Sequence, residues 1–380
     1  MGLAELTRNA VDVLPEGALE EKLKLGRPLR VKLGIDVTAP HVTLGNGIPL
    51  QRMRAFQDEG HLGVLIVGDY TTRIGDPSGR SATRPLLDPE EIDRNAQRYF
   101  EHASTIIDPE RSELRFNSEW LGKLDFAEIL RLTRTTTVAR LLERDDFAKR
   151  FAEQTPISVS ELLYPLMQAY DSVAVQADVE LGGTDQLYNL LMGRDVMQAY
   201  GLEPQVALTN ELLLSWDGAL MSASRGNYIA LVEDPNEQFG KAMRIPDELL
   251  PQWYRLVLGR DAPAGDPMQA KLDLAHFIVR RAHGEDAARA AEAHFTRVVR
   301  EGQAPEEMPE VVLTEPTVHL PQLLAGAFGQ TTSHWRRVID QGGVSADGRR
   351  IDSYDVPADE LDGVALQAGK RRFVRLRMSD

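Results

Sequence analysis

Cysteine is absent from this chain of 380 residues, which excludes disulfide bonds, cysteine nucleophiles and metal sites with sulfur ligands. The eight histidines show no HxxxH or HxH spacing, so we expect no bound metal ion. No apolar run approaches the roughly 18 residues that a transmembrane helix needs. The polar, acidic N-terminus is unlike a signal peptide. We therefore expect a cytoplasmic protein without a membrane segment.

Positive charge is also scarce, because 43 Lys and Arg stand against 58 Asp and Glu and give a formal net charge of −15. Such a chain is not expected to coat nucleic acid non-specifically. The deficit is uneven, since residues 317–380 hold nine basic and eight acidic residues. Basic pairs in that segment, such as Arg336–Arg337, are compatible with a small module that contacts phosphate or with a merely solvated surface.

Two short apolar runs on either side of a helix-like segment indicate a parallel sheet. Residues 29–35 and 62–67 have the character of strands, and residues 45–58 have that of a helix. In parallel sheets, ligands bind beyond the carboxyl ends of the strands. Asp36 and Asp69 fall at two such ends. The sequence therefore predicts an α/β fold with a ligand site near these carboxylates.

The rest of the chain divides into segments of different character. Residues 302–316 are rich in proline and acidic residues and read as a linker. Residues 88–153 are predicted to form helices with one strand, at 114–116. Strands at 173–181 and 205–208 enclose a helix at 184–200. Residues 234–300 are predicted to be helical, and the tail is predicted to hold a helix at 333–341 and short strands.

Polar side chains interrupt an apolar helix predicted at 158–171. Tyr164, Gln168 and Asp171 lie at positions i, i+4 and i+7, so they share one face of that helix. Buried polar groups cost free energy unless they have polar partners. A small ligand with a hydroxyl and an ammonium group would supply such partners, and a structural hydrogen-bond network would do so equally well.

Several stretches of the sequence resemble bacterial tyrosyl-tRNA synthetases, which are class I aminoacyl-tRNA synthetases. The similarity covers nearly the whole chain, and YPLMQAYD together with GGTDQ is its most specific part. The stretches that carry it are KLGIDVTAPHVTLGNG, VGDYTTRIGDPSGRSATRP, FNSEWL, LERDDF, ELLYPLMQAYDSVAVQADVELGGTDQLYNLLMGR, MSASRGNYIAL and the tail KRRFVRLRMSD.

The resemblance implies both an architecture and an activity. Residues 1–230 would form a Rossmann-type catalytic domain with a helical insertion at about 88–153. A helical anticodon-region domain (231–301), the linker (302–316) and a small α+β S4-like RNA-binding domain (317–380) would follow. The enzyme would join L-tyrosine to ATP, which is accompanied by Mg²⁺, and then transfer the tyrosyl group to the 3′ end of tRNA(Tyr). A homodimer with the insertion at its interface is implied as well.

The resemblance also assigns individual residues. Tyrosine binding falls to Asp76, Tyr164, Gln168, Asp171 and Gln186. ATP binding falls to Gly34, Asp36, Gly45, Gly183, Asp185 and Met221. The catalytic residues near the phosphates would be Thr38, Thr43, Asn46, Arg80, Arg84, Ser222 and Ser224. RNA binding falls to Arg336, Arg337, Arg349 and Arg350.

Both signature motifs of the family are altered here. The His-Ile/Leu-Gly-His signature reads TLGN at residues 43–46, and the Lys-Met-Ser-Lys-Ser signature reads LMSAS at residues 220–224. Loss of one charge-assisted contact made only in the transition state costs about 2–4 kcal/mol. Arg80 and Arg225 are candidates to restore part of it. The alternative is a paralogue that binds tyrosine or tRNA but activates tyrosine slowly or not at all. Lys32 occupies a position where some family members have a pocket tyrosine, so a modified tyrosine is another possible substrate.

Overall fold

The computed structural model describes residues 2–37, 42–73, 88–222, 225–301, 303–305, 308–369 and 372–378. The chain forms two compact units. The first comprises Met1–Glu233 and Lys241–Leu274, and the second comprises Asp234–Gly240 and Ala275–Asp380. None of the helices in the described ranges combines the length and apolar content that a membrane crossing needs.

The first unit is built on a six-stranded sheet with the order β1-β6-β5-β2-β3-β4. Its strands are Ala10–Leu14 (β1), Arg30–Ile35 (β2), Leu62–Val67 (β3), Ser112–Phe116 (β4), Val179–Gly183 (β5) and Val206–Asn210 (β6). Strands β2 to β6 run parallel, whereas β1 pairs antiparallel with β6. The predicted α/β class with a parallel sheet is thereby confirmed, and the order of the parallel strands is that of a Rossmann-type sheet.

The helices of the described chain follow in sequence order. They are Leu3–Leu6 (α1), Ala18–Leu23 (α2), Leu44–Asp58 (α3), Pro89–Ala103 (α4), Ser118–Leu121 (α5), Phe126–Thr133 (α6), Val138–Leu141 (α7), Asp145–Ala152 (α8), Val159–Val175 (α9), Leu187–Ala199 (α10), Pro235–Ala242 (α11), Leu250–Trp253 (α12), Pro267–His283 (α13), Glu285–Phe295 (α14), Leu320–Phe328 (α15) and Thr332–Asp340 (α16). A capping box fixes the start of α9. The Ser158 side chain accepts from backbone N–H groups of the first turn, and Glu161 Oε1 accepts from Ser158 N over 2.9 Å.

The strand predicted at 173–181 is wrong in its first part. Helix α9 continues to Val175, and Gln176 then ends it with a φ of 50°. Val173 and Val175 have the β-branched side chains that favour strands. In the structure both pack against buried apolar clusters beneath the helix, so tertiary burial overrides their local preference. Strand β5 begins only at Val179.

The second unit holds a five-stranded sheet with the order β10-β9-β12-β13-β7 and a separate pair of strands, β8 with β11. Their bounds are Glu310–Leu313 (β7), Thr317–His319 (β8), Val344–Ala346 (β9), Arg349–Arg350 (β10), Asp355–Pro357 (β11), Ala365–Ala368 (β12) and Arg372–Met378 (β13). Strand β7 lies inside the predicted linker and pairs parallel with β13. The side chain of Trp335 lies in the core of this unit.

Candidate active site

The topology of the sheet marks one position as the place for a ligand. From the central strand β2 the chain passes to β3 and β4 on one side, and it later returns to β5 and β6 on the other. The carboxyl ends of β2 and β5 therefore flank the switch point where such sheets bind ligands. Gly34 is exposed there although it lies in the central strand, and a Cβ at this residue would meet no described atom within 4 Å.

Helix α9 brings a phenol to the end of β2. The Tyr164 hydroxyl donates a hydrogen bond to Asp36 Oδ2 over 3.2 Å. Gly68, which follows β3, makes room for this carboxylate, because a Cβ there would come within 2.5 Å of Asp36 Oδ1. Two of the residues assigned from sequence are thus joined, and they lie at the strand ends that the parallel sheet predicted.

Asp171, about two helical turns further along α9, is a buried carboxylate with two side-chain donors. Trp120 Nε1 donates to Asp171 Oδ1 over 2.8 Å, and Asn117 Nδ2 donates to Oδ2 over 3.4 Å. Burial is the main cause that raises the pKa of Asp171 to about 7, and these bonds together with the charge of Lys32 oppose it. The carboxylate is therefore poised to take a further donor. Both donors lie in the stretch FNSEWL, which carries part of the family resemblance but predicted no role for either residue.

A buried amide joins the two glutamines of the predicted tyrosine pocket. Asn189 Nδ2 donates to Gln168 Oε1 over 2.9 Å and to Gln186 Oε1 over 3.0 Å. Gln168 stands on α9 and Gln186 on the turn that precedes α10, so this one residue fixes two amides from different elements. Sequence reasoning missed Asn189, because a polar residue within α10 carries no signal until its partners are known.

The glycine that ends β5, Gly183, is required by its neighbours. A Cβ on Gly183 would lie 2.5 Å from Asp185 Oδ1 and 2.5 Å from Leu212 Cδ2. Such contacts are too close for any larger residue, so the glycine lets the Asp185 carboxylate fold back beside the strand end. Asp185 itself is exposed at the mouth of the switch point.

The first altered signature caps helix α3 with its own side chains. Asn46 N donates to Thr43 Oγ1 over 3.3 Å, and Thr43 N donates to Asn46 Oδ1 over 3.0 Å. The Thr43 hydroxyl also donates to Asn46 Oδ1 over 2.8 Å. The capping box fixes the start of α3, whose positive dipole end is the kind of site that binds phosphate. The Nδ2 protons of the exposed Asn46 are not used by the box.

The second altered signature lies beside the first. Backbone bonds join Leu44 N to Ile229 O (2.9 Å) and Leu231 N to Val42 O (2.7 Å). A Cβ on Gly45 would lie 3.9 Å from Met221 Sδ, so the two signatures touch. The loop that carries the second is held by Asn227, whose Oδ1 accepts from Ser222 N over 2.9 Å. Leu220, where the family has lysine, is 44% exposed.

The other predicted site residues fall into two groups. Thr38, Asp76, Arg80, Arg84 and Ser224 lie outside the described residues. The four predicted RNA-binding arginines lie in the second unit and are exposed, Arg336 and Arg337 on α16 and Arg349 and Arg350 in β10. No group of three or more His, Cys, Asp or Glu that could hold a metal ion occurs among the described residues.

Comparison with known proteins places this geometry in a family. The model of the tRNA synthetases class I (W and Y) matches residues 24–300. A tyrosine–tRNA ligase of Moorella thermoacetica is 47% identical over 389 residues, with 98% of this chain and 94% of that protein covered. A tyrosine–tRNA ligase of Thermotoga maritima is 46% identical, with 98% and 96% covered.

Solved structures agree at the level of the fold. Tyrosyl-tRNA synthetase from Archaeoglobus fulgidus, complexed with L-tyrosine, aligns with a TM-score of 0.61 at 21% identity, covering 76% of this chain and 98% of that chain. A truncated mitochondrial tyrosyl-tRNA synthetase from Aspergillus nidulans gives 0.61 at 22% identity, covering 76% and 91%. The family predicted from the sequence motifs is confirmed by the family model and by the two tyrosine–tRNA ligases. The chain belongs to the class I tRNA synthetases of the tryptophan and tyrosine group.

Proposed function

We propose that this chain is a tyrosine–tRNA ligase that activates L-tyrosine with ATP and transfers it to tRNA(Tyr). The observation that carries the proposal is the polar face of α9, which presents Tyr164, Gln168 and Asp171 beside the switch point of the sheet. Relatives 43–47% identical over nearly the full length are named tyrosine–tRNA ligases, which supports the same assignment.

The pocket matches tyrosine at both polar ends of the amino acid. Asp171 receives the phenol hydroxyl, because a buried carboxylate with two donors still has lone pairs for a third. Oxygen acceptors receive the ammonium group: the Tyr164 hydroxyl and the carbonyl oxygens of Gln168 and Gln186, with Asp76 as the carboxylate that the resemblance adds. Burial of these groups gives a site that rejects an amino acid lacking the hydroxyl, since Asp171 would then be left without its third partner.

ATP fits on the other side of the switch point. Gly34, Gly45 and Gly183 let the nucleotide approach the backbone, and the Asp185 carboxylate receives the ribose hydroxyls. The phosphates lie at the start of α3, where Thr43 and Asn46 offer hydrogen bonds and the helix offers its positive end. Mg²⁺ would accompany ATP and would offset the negative charge of its phosphates. Asp36, Ser222 and Met221 are placed at the reacting phosphate in this proposal, and the resemblance assigns Thr38 and Ser224 to the same step.

Catalysis requires no covalent enzyme intermediate. The tyrosine carboxylate attacks the α-phosphate and pyrophosphate leaves, so the protein contributes positioning and electrostatic stabilisation. The resemblance assigns Arg80 and Arg84 to stabilisation of the leaving pyrophosphate. A hydroxyl of the 3′-terminal ribose of tRNA then attacks the carbonyl carbon of the adenylate, so that the tyrosyl ester forms and AMP leaves. Pairs such as Arg336–Arg337 and Arg349–Arg350 hold the RNA by its phosphates.

We also propose that the enzyme is a cytoplasmic homodimer that pairs through its inserted helices. Large apolar side chains are unusually exposed in that segment: Phe126 is 74% exposed, Val138 61% and Phe151 65%. Exposed apolar groups of this size mark interaction surfaces. Sedimentation analysis should give a dimer for the wild-type protein and a monomer for Phe126→Glu with Phe151→Glu, and a wild-type monomer would contradict the assignment.

A paralogue that binds tyrosine or tRNA but activates slowly is the second candidate. The exposed Leu220, which stands in place of a lysine, is the observation that favours it. Charging of tRNA(Tyr) with labelled tyrosine separates the two functions. The ligase predicts tyrosyl-tRNA that is lost in Asp185→Ala and kept in the matched control Asp195→Ala, an exposed residue of α10. No charging by the wild-type protein, with tyrosine still bound, would support the paralogue.

A further inference from the structure

A lysine in the middle of the sheet is fully enclosed by protein. Lys32 stands in the central strand β2 and is 0% exposed. Its ammonium group donates to Glu180 Oε1 over 2.8 Å, to Ser172 Oγ over 2.8 Å and to the backbone oxygen of Gln168 over 3.1 Å. An ammonium has three protons to donate, and these three acceptors use all of them.

The partner carboxylate is just as completely held. Glu180 lies opposite Lys32 in the register of β5 and β2, and its Oε2 accepts from Ser172 Oγ (2.9 Å) and Gln205 Nε2 (2.7 Å). Helix α10 leaves space for this cluster at Gly193, where a Cβ would come within 2.5 Å of Gln205 Nε2 and 3.1 Å of Glu180 Oε2. Gly193 therefore lets the ion pair and Gln205 pack closely against α10.

Stability alone does not explain this arrangement. Replacement of a buried ion pair by packed apolar residues is often neutral or stabilising, so the pair is weak evidence for a stabilising role. Its position is more informative. Two of the three acceptors of Lys32 belong to α9 and lie on either side of Asp171 in the sequence. Gln168 is three residues before Asp171, and Ser172 directly follows it.

The same pair acts on Asp171 through space. After burial, which raises the pKa of this carboxyl, the positive charge of Lys32 is the largest influence that lowers it, and the negative charge of Glu180 raises it. The other groups that face Asp171 are the neutral donors Trp120 on α5 and Asn117 before it. On its own helix, the Tyr164 hydroxyl donates to Asp36 at the end of β2.

We propose that Lys32, with Glu180 as its counter-ion, is a positioning residue for tyrosine: it fixes the turn of α9 that presents Gln168 and Asp171, and its charge acts on the Asp171 carboxyl that receives the substrate hydroxyl. The proposal rests on the proposed function, since it concerns recognition of the phenol in that pocket. Lys32 does not touch the substrate, so it differs from a residue that bonds the hydroxyl directly. In this proposal, the preference for tyrosine depends on the charge of a buried lysine that does not contact the substrate.

The test is the pH dependence of tyrosine binding in two variants of the same ion pair. Lys32→Met removes the cation and Glu180→Gln removes the anion, and both disturb the same buried cluster. The dissociation constant for labelled tyrosine is measured by equilibrium dialysis between about pH 5 and pH 9, with phenylalanine competition in parallel. Binding should strengthen as pH rises through the ionisation of Asp171, and phenylalanine should lack that step.

We expect opposite changes in the two variants. The midpoint of the pH profile should rise by about one pH unit or more in Lys32→Met, because Asp171 loses its cation, and fall in Glu180→Gln, because it loses a repelling charge. A purely structural role would weaken binding in both without separating the midpoints. Should Lys32→Met not fold, Lys32→Met combined with Glu180→Gln removes both charges, and its midpoint should still rise, by less than for the cation alone.

The control is a second buried pair, formed by Lys22 and Asp178 with 3.8 Å between Nζ and Oδ1. Lys22→Met should lower the melting temperature and leave the midpoint for tyrosine where it is. Midpoints that stay unchanged, or that move in the same direction in both test variants, overturn the proposal. If the wild-type protein itself bound no tyrosine, the proposed function would fail and take this proposal with it, a result distinct from normal binding with unmoved midpoints.

Discussion

Replacement of Asp171 by asparagine separates recognition of the substrate from stability of the fold. The amide has the size of the carboxylate, and its oxygen still accepts the bond from Trp120 Nε1, which is 2.8 Å long in the wild-type protein. What disappears is the negative charge that receives the substrate hydroxyl. A hydrogen bond to a charged group contributes about 1.5–3 kcal/mol, so tyrosine should bind about 10- to 150-fold more weakly. Phenylalanine, which makes no such bond, should bind equally to both proteins.

The same substitution should change how stability depends on pH. Burial is the chief cause that raises the folded-state pKa of Asp171 from its ordinary value of 3.8 to about 7. Between about pH 4 and pH 7 the folded protein therefore holds a proton that the unfolded chain has released. This contribution to the free energy of unfolding is present at low pH and is lost as pH rises toward 7. Between pH 5 and pH 8 the wild-type protein should lose about 2–3 kcal/mol relative to the variant, for the roughly two pH units below the folded-state pKa.

Both effects can be measured on one pair of proteins. Titration calorimetry gives the affinity for tyrosine, and urea unfolding at the two pH values gives the difference in stability. A weaker complex together with a flatter stability profile is the expected result for Asp171→Asn. Unchanged affinity for tyrosine would refute the assignment of Asp171 to the pocket, and parallel stability profiles would refute the buried carboxyl.

The remaining predictions concern the other parts of the site. Gly183→Ala should reduce kcat/KM for ATP about 10- to 100-fold in tyrosine-dependent exchange of pyrophosphate into ATP, because a Cβ would displace the Asp185 carboxylate. The affinity for tyrosine should stay unchanged, and an equal loss of that affinity would speak against a nucleotide role. Leu220→Lys with Ala223→Lys should speed single-turnover adenylate formation, by up to about 10²–10³-fold for each missing contact. An unchanged rate would mean that other cations already supply that charge. Arg337→Gln with Arg349→Gln should weaken tRNA binding in a filter assay and reduce its dependence on salt, with tyrosine activation unaffected; loss of both activities would indicate a structural role.

Local pattern was enough to predict much of the first unit. The apolar runs and the glycine-bearing loop predicted β2, α3 and β3, because strand and helix periods differ and parallel strands need a connecting helix. The spacing of Tyr164, Gln168 and Asp171 correctly placed them along one helix. Their roles depended on resemblance, since a polar face alone does not distinguish a ligand from an internal network.

Contacts between distant segments could not be read from the chain. Asn189 joins two glutamines, and Trp120 reaches a carboxylate 51 positions away, so neither has a local signature. The same limit explains the secondary-structure differences. Val173–Val175 is helical because the side chains of Val173 and Val175 pack against buried apolar clusters. Strand β7 forms in a proline-rich segment because its backbone pairs with β13.

Tyrosine-dependent exchange of labelled pyrophosphate into ATP, with Mg²⁺ present, tests the central claim most directly. It requires adenylate formation and nothing from tRNA, so it examines the pocket on α9 and the two altered signatures together. The account predicts exchange that requires tyrosine, is not supported by phenylalanine and is strongly reduced in Asp171→Asn. Absence of exchange from a folded protein that still binds tyrosine would contradict it and identify the chain as a non-activating member of the family.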